Sequence, residues 1–227
     1  MPPDHRRLPT VRSLLAVCAH PDDESFGLGA ALHAFAARGS RVSVLCFTHG
    51  EASTLGEPAR LAELRTAELA SAARLLGISS TELLDYRDGA LREVPLDELS
   101  RAVRTAASEV GAELLVVFDE GGITGHPDHC RATEAALAAH PPLPVLAWAV
   151  PNQVAEALHA ELGVRFVGRP DEEIDLVVPV DRELQRRAVA CHASQSVGNP
   201  VVWRRLELHG DAEALRWLRP LPPAPSS

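Results

Sequence analysis

Two short polar segments carry most of the side chains that could do chemistry. Residues 19–24 read AHPDDE, and residues 126–129 read HPDH. Each follows an apolar run that predicts a buried strand, SLLAVC at 13–18 and ELLVVF at 113–118. Carboxylates and imidazoles crowded into one turn repel each other and lose hydration, unless a cation or a reacting group lies between them. The pattern favours a functional site over its alternative, an acidic turn that caps the next helix.

The residue types in these segments are those of a metal site. Imidazole nitrogen and carboxylate oxygen together suit a borderline cation such as Zn²⁺. A catalytic zinc site uses three protein ligands and keeps a fourth position open, and two histidines with one carboxylate meet that description. Adjacent Asp22 and Asp23 cannot easily both bind one ion from the same turn. We therefore expect one of them to bind and the other to face the reacting water.

The elements around these segments predict an α/β fold. Strands alternating with helices of 10 to 18 residues indicate a Rossmann-like, mostly parallel sheet with helices on both faces. Carboxyl ends of parallel strands meet at one edge of the sheet, so both segments should lie there. Strands are predicted at about 13–19, 41–47, 82–84, 113–118 and 145–149, with extended pieces near 164–167 and 174–180. Helices are predicted at about 27–36, 59–76, 95–110, 152–161 and 181–193, and a further helix follows the 126–129 segment and ends at about 139.

Length and composition indicate one globular domain. The chain has 227 residues, 46% hydrophobic and 23% charged. We expect a single domain over 13–218, a loosely ordered lead-in over 1–12 and a disordered proline-rich tail over 219–227. The four cysteines form no CxxC pair, which favours packing roles over disulfides.

Charge and hydropathy narrow the expected partners. The net charge of −9 argues against a nucleic-acid partner. The sequence has neither a run of about 18 apolar residues that could span a membrane nor the apolar core of a signal peptide at its N-terminus. We expect a cytoplasmic protein. The first strand is followed by HPDDE instead of the G-x-G-x-x-G of a dinucleotide site, whose pyrophosphate these carboxylates would repel.

The two segments, in this order, resemble the PIG-L/LmbE-like family of zinc-dependent N-deacetylases. Four further segments are similar to segments of that family: THGE at 48–51, RTAEL at 65–69, DG at 88–89 and HASQ at 192–195. The resemblance covers residues 13–196. The family includes enzymes that deacetylate N-acetylglucosaminyl-phosphatidylinositol, thiol precursors of mycothiol and bacillithiol synthesis, and antibiotic sugars.

The resemblance implies a division of roles. It makes His20, Asp23 and His129 the metal ligands, Asp22 the general base and His126 the histidine that stabilises the oxyanion. The implied cofactor is Zn²⁺, although Fe²⁺ accepts the same three ligands. Zinc lowers the pKa of its water, so a nearby carboxylate can accept the proton. Either the base or the oxyanion histidine could then protonate the leaving amine.

The remaining candidates surround this centre. Asp128 is expected to orient one of the imidazoles. Arg65 and Asp88 resemble residues that hold the sugar hydroxyls or a neighbouring phosphate, and the alternatives are a solvated helix charge for Arg65 and a turn residue for Asp88. His192 is expected to close the substrate pocket from the C-terminal side, with a plain helix-end histidine as its alternative. Glu24 is expected to cap the next helix or to pair with a cation.

The resemblance implies removal of an N-acetyl group from an N-acetylglucosamine-type sugar or a related small acetamide. Two alternatives stay open: an amidase of a larger amide such as a thiol conjugate, and a non-catalytic protein that binds a metal or a sugar. Some family members carry a tyrosine at the position of Thr124, so a third group that polarises the substrate carbonyl is in doubt. The sequence leaves the oligomeric state open, and a homo-oligomer is compatible with it.

Overall fold

The computed structural model describes residues 6–53 and 58–222. The first five residues of the predicted lead-in, residues 54–57 and the last five residues of the predicted tail lie outside the described residues. The strands of the described part are β1 (Ser13–Cys18), β2 (Arg41–Cys46), β3 (Ser80–Leu83), β4 (Leu114–Phe118), β5 (Val145–Pro151), β6 (Gly168–Arg169), β7 (Leu176–Pro179) and β8 (Ala212–Arg219).

These strands form one sheet in the order β3-β2-β1-β4-β5-β8-β7, with β6 beside β5. Strands β1 to β5 pair in parallel, and β6 is parallel to β5. Strand β8 runs antiparallel to β5 and β7. The chain winds outward in one direction through β2 and β3 and in the other from β4. Such a reversal leaves a crevice beyond the carboxyl ends of β1 and β4, where open α/β sheets bind ligands.

Helices cover both faces of the sheet, which confirms the predicted fold class. Alternate residues of β1 point to opposite faces, so Leu14 joins one core with Leu32, while Leu15 joins another core with Leu99. None of the helices in the described ranges is long and apolar enough to cross a membrane. Those helices are α1 (Asp23–Phe26), α2 (Gly29–Ala37), α3 (Pro58–Leu76), α4 (Leu96–Glu109), α5 (Gly122–Gly125), α6 (Pro127–Ala138), α7 (Asn152–Leu162), α8 (Arg182–Cys191), α9 (Ala193–Ser196) and α10 (Pro200–His209).

The ends of the domain differ from the prediction. Leu8 and Val11 are buried in the core, so this part of the expected lead-in is packed and not loose. Arg219 closes β8, and its guanidinium donates hydrogen bonds to the carbonyls of Leu137 and Leu143. The ordered domain therefore extends beyond 218 at its end and before 13 at its start. All four cysteines are free, as expected.

Candidate metal and catalytic site

Most of the predicted site residues meet in the crevice between β1 and β4. A cavity of about 420 Å³ is lined by the three histidines of the two motifs and by carboxylates proposed for chemistry. This volume lies within the range of small-molecule sites. The lining residues from the two motifs are His20, Asp22, Asp23, His126 and His129.

The turn after β1 has an unusual backbone. Asp22 has φ 127°, a conformation that costs a non-glycine residue about 1–3 kcal/mol. Its carbonyl accepts hydrogen bonds from the amides of Ser25 (2.9 Å) and Phe26 (2.6 Å), which start α1. Its amide donates to Glu24 Oε2 at 2.9 Å. The turn is therefore fixed from both sides of the strained residue.

The loop after β4 is also forced into left-handed backbone. Gly122 and the β-branched Ile123 both have positive φ, 64° and 66°. His126 then serves as the N-cap of α6, with Pro127 in the first helical position. This places His126 at the start of the first turn of α6 and His129 within it.

Three side chains converge on a point that could hold a cation. His20 Nδ1 lies 3.2 Å from His129 Nε2. The same His129 nitrogen is 3.1 Å from Asp23 Oδ1. Ligand atoms around a tetrahedral zinc ion lie about 3.4 Å apart, because each is about 2.1 Å from the metal. These two separations fit such a site, and the third, from His20 Nδ1 to Asp23 Oδ2, is longer at 4.0 Å.

The hydrogen bonds of the two histidines leave the correct nitrogens free. His20 Nε2 lies 2.9 Å from Asp88 Oδ1 and 3.4 Å from Asp128 Oδ2, so it carries a proton and donates it. His129 Nδ1 lies 3.1 Å from the Gly122 carbonyl and must likewise be the N–H of that ring. The lone pairs therefore belong to the two nitrogens that face each other. Only a cation between them, a proton or a metal ion, relieves their repulsion.

His126 has the opposite arrangement. Its Nδ1 accepts a hydrogen bond from the Asp128 amide at 3.2 Å, so the proton of the neutral ring is on Nε2. Burial and the nearby His129 keep the pKa of His126 below its ordinary value, which favours the neutral form. His20, His126 and His129 bring nitrogens within 4.8 Å of one another and could be taken for a three-histidine site. The tautomer of His126 makes it a hydrogen-bond donor instead.

The two adjacent carboxylates have different environments. Asp23 Oδ2 accepts the amides of Ala19 (2.9 Å) and His20 (3.0 Å). Burial opposes its ionisation, but His129 and His20 hold the pKa of Asp23 well below its usual range. Burial raises the pKa of Asp22 to about 6, against the effect of Arg65, whose Nη2 lies 2.9 Å from Asp22 Oδ2. Asp22 is the better proton acceptor of the two, since its pKa lies nearer neutrality.

Asp88 and Asp128 lie behind His20. Burial disfavours the charge on Asp88, but its contact with His20 lowers its pKa to about 2. Its other oxygen, Oδ2, accepts the amide of Ala52 at 2.9 Å. Asp128 Oδ2 accepts the amide of Gly89 at 2.7 Å. Asp88 lines the cavity, so it can contact a ligand as well as His20.

The other two expected substrate contacts differ in their access to the cavity. Arg65 lines the cavity, but it is only 4% exposed, and its guanidinium already donates to the carbonyls of Gly50 and Pro21 and pairs with Asp22. His192 is fully buried and does not line the cavity. Its Nε2 lies 2.7 Å from Glu24 Oε1. Arg65 therefore contacts both the turn after β1 and the cavity, whereas His192 does not reach the cavity in this conformation.

The sequence did not reveal the apolar wall of the cavity. Phe26, Phe118 and Trp148 line it beside the polar cluster. A Cβ on Gly27 would lie 2.2 Å from the Phe118 ring, so only glycine leaves that ring in place. Phe118 is the last residue of one apolar strand, and Trp148 lies within another. Aromatic residues in such strands usually belong to the hydrophobic core, so the sequence held no signal that these two line a cavity.

The fold and the site define a Rossmann-like α/β protein. In the crevice beyond the carboxyl ends of β1 and β4 it carries a group of His and Asp side chains that could hold a metal ion. The chain belongs to the PIG-L family, described as GlcNAc-PI de-N-acetylase, whose profile matches residues 15–140.

Two named proteins are similar to this chain in sequence, and one solved structure is similar to it in fold. The chain is 35% identical over 154 residues to 1D-myo-inositol 2-acetamido-2-deoxy-alpha-D-glucopyranoside deacetylase 1 of Catenulispora acidiphila, covering 56% of this chain and 48% of that protein. It is 29% identical over 213 residues to a probable N-acetyl-alpha-D-glucosaminyl L-malate deacetylase 2 of Bacillus anthracis, covering 91% and 92% of the two chains. A crystal structure of a deacetylase triple mutant (Orf2*T) involved in the teicoplanin biosynthetic pathway has the same fold, with TM-score 0.71, 24% identity and coverage of 92% and 98%.

Proposed function

We propose that this chain is a metal-dependent N-deacetylase that acts on an N-acetylglucosamine-type sugar. The observation that carries the proposal is that three clustered histidines differ in the ring nitrogen that carries the proton. His20 and His129 present lone pairs beside Asp23, whereas His126 presents an N–H. The relatives named as deacetylases of GlcNAc-containing substrates support the same reaction.

His20, Asp23 and His129 would hold the ion, which we propose to be zinc, although Fe²⁺ accepts the same donors. When bound, the ion supplies Lewis acidity and makes a water easier to deprotonate. Asp88 and Asp128 hold the His20 ring in place through its Nε2–H. Such outer hydrogen bonds fix the tautomer and orientation of a ligating histidine.

The chain's own residues then move the protons. Asp22 accepts a proton from the water that attacks the acetamide carbonyl, and the C–O bond forms as negative charge develops on the carbonyl oxygen. His126 donates a hydrogen bond from its Nε2–H to that oxygen, keeps its proton, and stabilises the charge. Asp22 then returns its proton to the amine nitrogen as the C–N bond breaks. The products are acetate and the free amino sugar, so Asp22 ends the cycle as it began, ionised.

The site itself favours a substrate larger than a bare acetamide. The cavity of about 420 Å³ extends past the polar cluster to Phe26, Phe118 and Trp148. Asp88 at its wall provides a carboxylate that can accept a sugar hydroxyl. The metal end would take the acetamide, and the remainder of the cavity would take the sugar and its substituent.

The test measures metal content and acetate release on matched variants. Wild type should hold about one zinc per chain and release acetate from an N-acetylglucosaminyl glycoside. His129→Ala should lose the metal and the activity. Asp22→Asn should keep the metal and lose turnover by at least about 10²-fold, as expected for loss of a general base.

An Asp22→Asn variant as active as wild type would refute the base assignment. A panel of N-acetyl sugars and bulkier amides, including thiol conjugates, would distinguish a deacetylase from an amidase of larger amides. Metal binding without hydrolysis of any amide on the panel would indicate a binding protein and refute the proposal.

A further inference from the structure

Glu24 and His192 form a buried pair directly behind the turn after β1. Both residues are 0% exposed. His192 Nε2 lies 2.7 Å from Glu24 Oε1. Burial opposes a charge on the imidazole, but Glu24 raises the pKa of His192 above its usual value, so the ring is a stable donor to that carboxylate. The two residues are 168 positions apart, and His192 lies outside the part of the chain that matches the family profile.

The other oxygen of the same carboxylate reaches the strained residue. Glu24 Oε2 accepts the amide of Asp22 at 2.9 Å, and Asp22 is the residue with φ 127°. A non-glycine residue leaves such a conformation unless its surroundings hold it there. Glu24 holds the amide side of Asp22, while Arg65 contacts its carboxylate side. The Glu24 carboxylate therefore bridges His192 and the backbone of Asp22.

We propose that His192 is a positioning residue, which orients Glu24 so that Glu24 keeps the Asp22 backbone at positive φ and its carboxylate toward the cavity. The inference rests on the proposed function, in which Asp22 is the general base. It replaces the substrate role that the sequence suggested for His192. Neither residue lines the cavity, and the polar contacts of the pair reach it through the Asp22 amide.

Two observations separate positioning from general support of the fold. His192 Nδ1 has no hydrogen-bond partner among the described residues, so the ring's polar contact is the one to Glu24. The ring otherwise packs edge-on against Phe26, with centroids 5.9 Å apart, a contact that a phenyl ring could also make. Helix α1 has a separate anchor, because Gln185 Nε2 donates to the Ser25 carbonyl at 2.8 Å. The Ser25 hydroxyl also donates to Glu24 Oε1, at 2.5 Å, from within the same turn. Loss of the imidazole N–H should therefore loosen Glu24 and release Asp22 without unfolding the turn.

The test compares His192→Phe, which keeps a ring but lacks the donor, with His192→Gln, whose amide N–H can replace Nε2–H. In His192→Phe we expect kcat for acetate release to fall about 10- to 100-fold, because small misplacement of a catalytic group has effects of that size. KM should change less than about twofold, and zinc content should match wild type, because neither the cavity wall nor a ligand has changed. His192→Gln should recover at least about a third of the lost log activity, because it can donate to Glu24.

A double variant gives the readout that a merely structural role would not produce. In the Asp22→Asn background, His192→Phe should lower the residual rate by less than about twofold, since its effect is transmitted through the missing carboxylate. Equal losses in both backgrounds would overturn the inference. If His192→Phe does not accumulate as folded protein, His192→Leu takes its place in the series.

Crystal structures of the same variants decide the inference without any activity. Asp22 should leave positive φ in His192→Phe and keep it in His192→Gln. Unchanged φ in His192→Phe would refute the inference even if the proposed function stands. If wild type releases no acetate, the proposed function fails, and the φ of Asp22 still tests whether His192 positions this residue.

Discussion

His126 has two roles in the structure that a pair of substitutions can separate. Its Nδ1 caps α6 by accepting a hydrogen bond from the Asp128 amide. In the proposed mechanism, its Nε2–H donates a hydrogen bond to the reacting carbonyl. Alanine removes both. Asparagine is among the best N-cap residues, so His126→Asn retains an acceptor for the α6 amides but is too short to replace the Nε2–H.

The two roles have different expected magnitudes. Removing a single oxyanion donor lowers kcat by about 10²–10³-fold, or about 2.7–4 kcal/mol of transition-state stabilisation. Removing an N-cap lowers the free energy of unfolding by about 1 kcal/mol. For a domain of this size, that lowers Tm by about 2–4 °C. We therefore expect equal losses of kcat in both variants and a fall in Tm in His126→Ala alone.

Acetate-release kinetics, thermal unfolding and zinc content of the purified variants provide the test. Zinc content should be unchanged in both, because the lone pair of His126 is occupied by the Asp128 amide. Loss of zinc in His126→Asn would make His126 a ligand and refute the tautomer assignment. A His126→Asn variant that retains more than about a tenth of wild-type kcat would refute the oxyanion role.

Two further predictions concern charged residues. In Arg65→Lys, kcat should fall about tenfold with KM unchanged. One ammonium group cannot replace the guanidinium contacts to Gly50, Pro21 and Asp22. A rise in KM with constant kcat would instead indicate that Arg65 binds the substrate. Burial opposes the charge on Glu213, but His209 and Arg182 lower its pKa from 4.5 to about 2. The ionised carboxylate should therefore add about 3 kcal/mol to the free energy of unfolding above pH 4.5, and this contribution should be lost as the pH falls toward 2. Chemical denaturation of the metal-free protein should show a smaller loss of stability in acid for Glu213→Gln than for wild type. An acid transition that is the same in both proteins would contradict this prediction.

The sequence predicted the two central strands, β1 and β4, because they are almost entirely apolar. All residues of β1 and β4 are buried, as expected for strands covered on both faces. Strand β8 was not predicted. Its sequence, AEALRWLR, is rich in residues that favour helices, and it is a strand because it pairs with β5 and β7. Pairing between distant segments decided that element, and local preference could not.

The motifs brought the correct residue types to one edge of the sheet, but they could not assign the nitrogens. The proton of His129 is on Nδ1 because the left-handed loop after β4 points the Gly122 carbonyl at it. The proton of His126 is on Nε2 because α6 begins at His126 and presents the Asp128 amide. Both assignments depend on backbone conformations that no spacing of histidines encodes.

The strain at Asp22 lets two adjacent carboxylates point in different directions, as their separate proposed roles require. Asp23 turns back toward the end of β1, where its Oδ2 accepts two backbone amides and its Oδ1 faces His129. Asp22 must point elsewhere to reach Arg65 and the cavity, although only one peptide unit separates the two residues. A positive φ at Asp22 provides that divergence, at a cost of about 1–3 kcal/mol. Glu24 and Arg65 offset this cost through the amide and the carboxylate of the same residue, which is why two fully or nearly buried charged side chains lie behind a single turn.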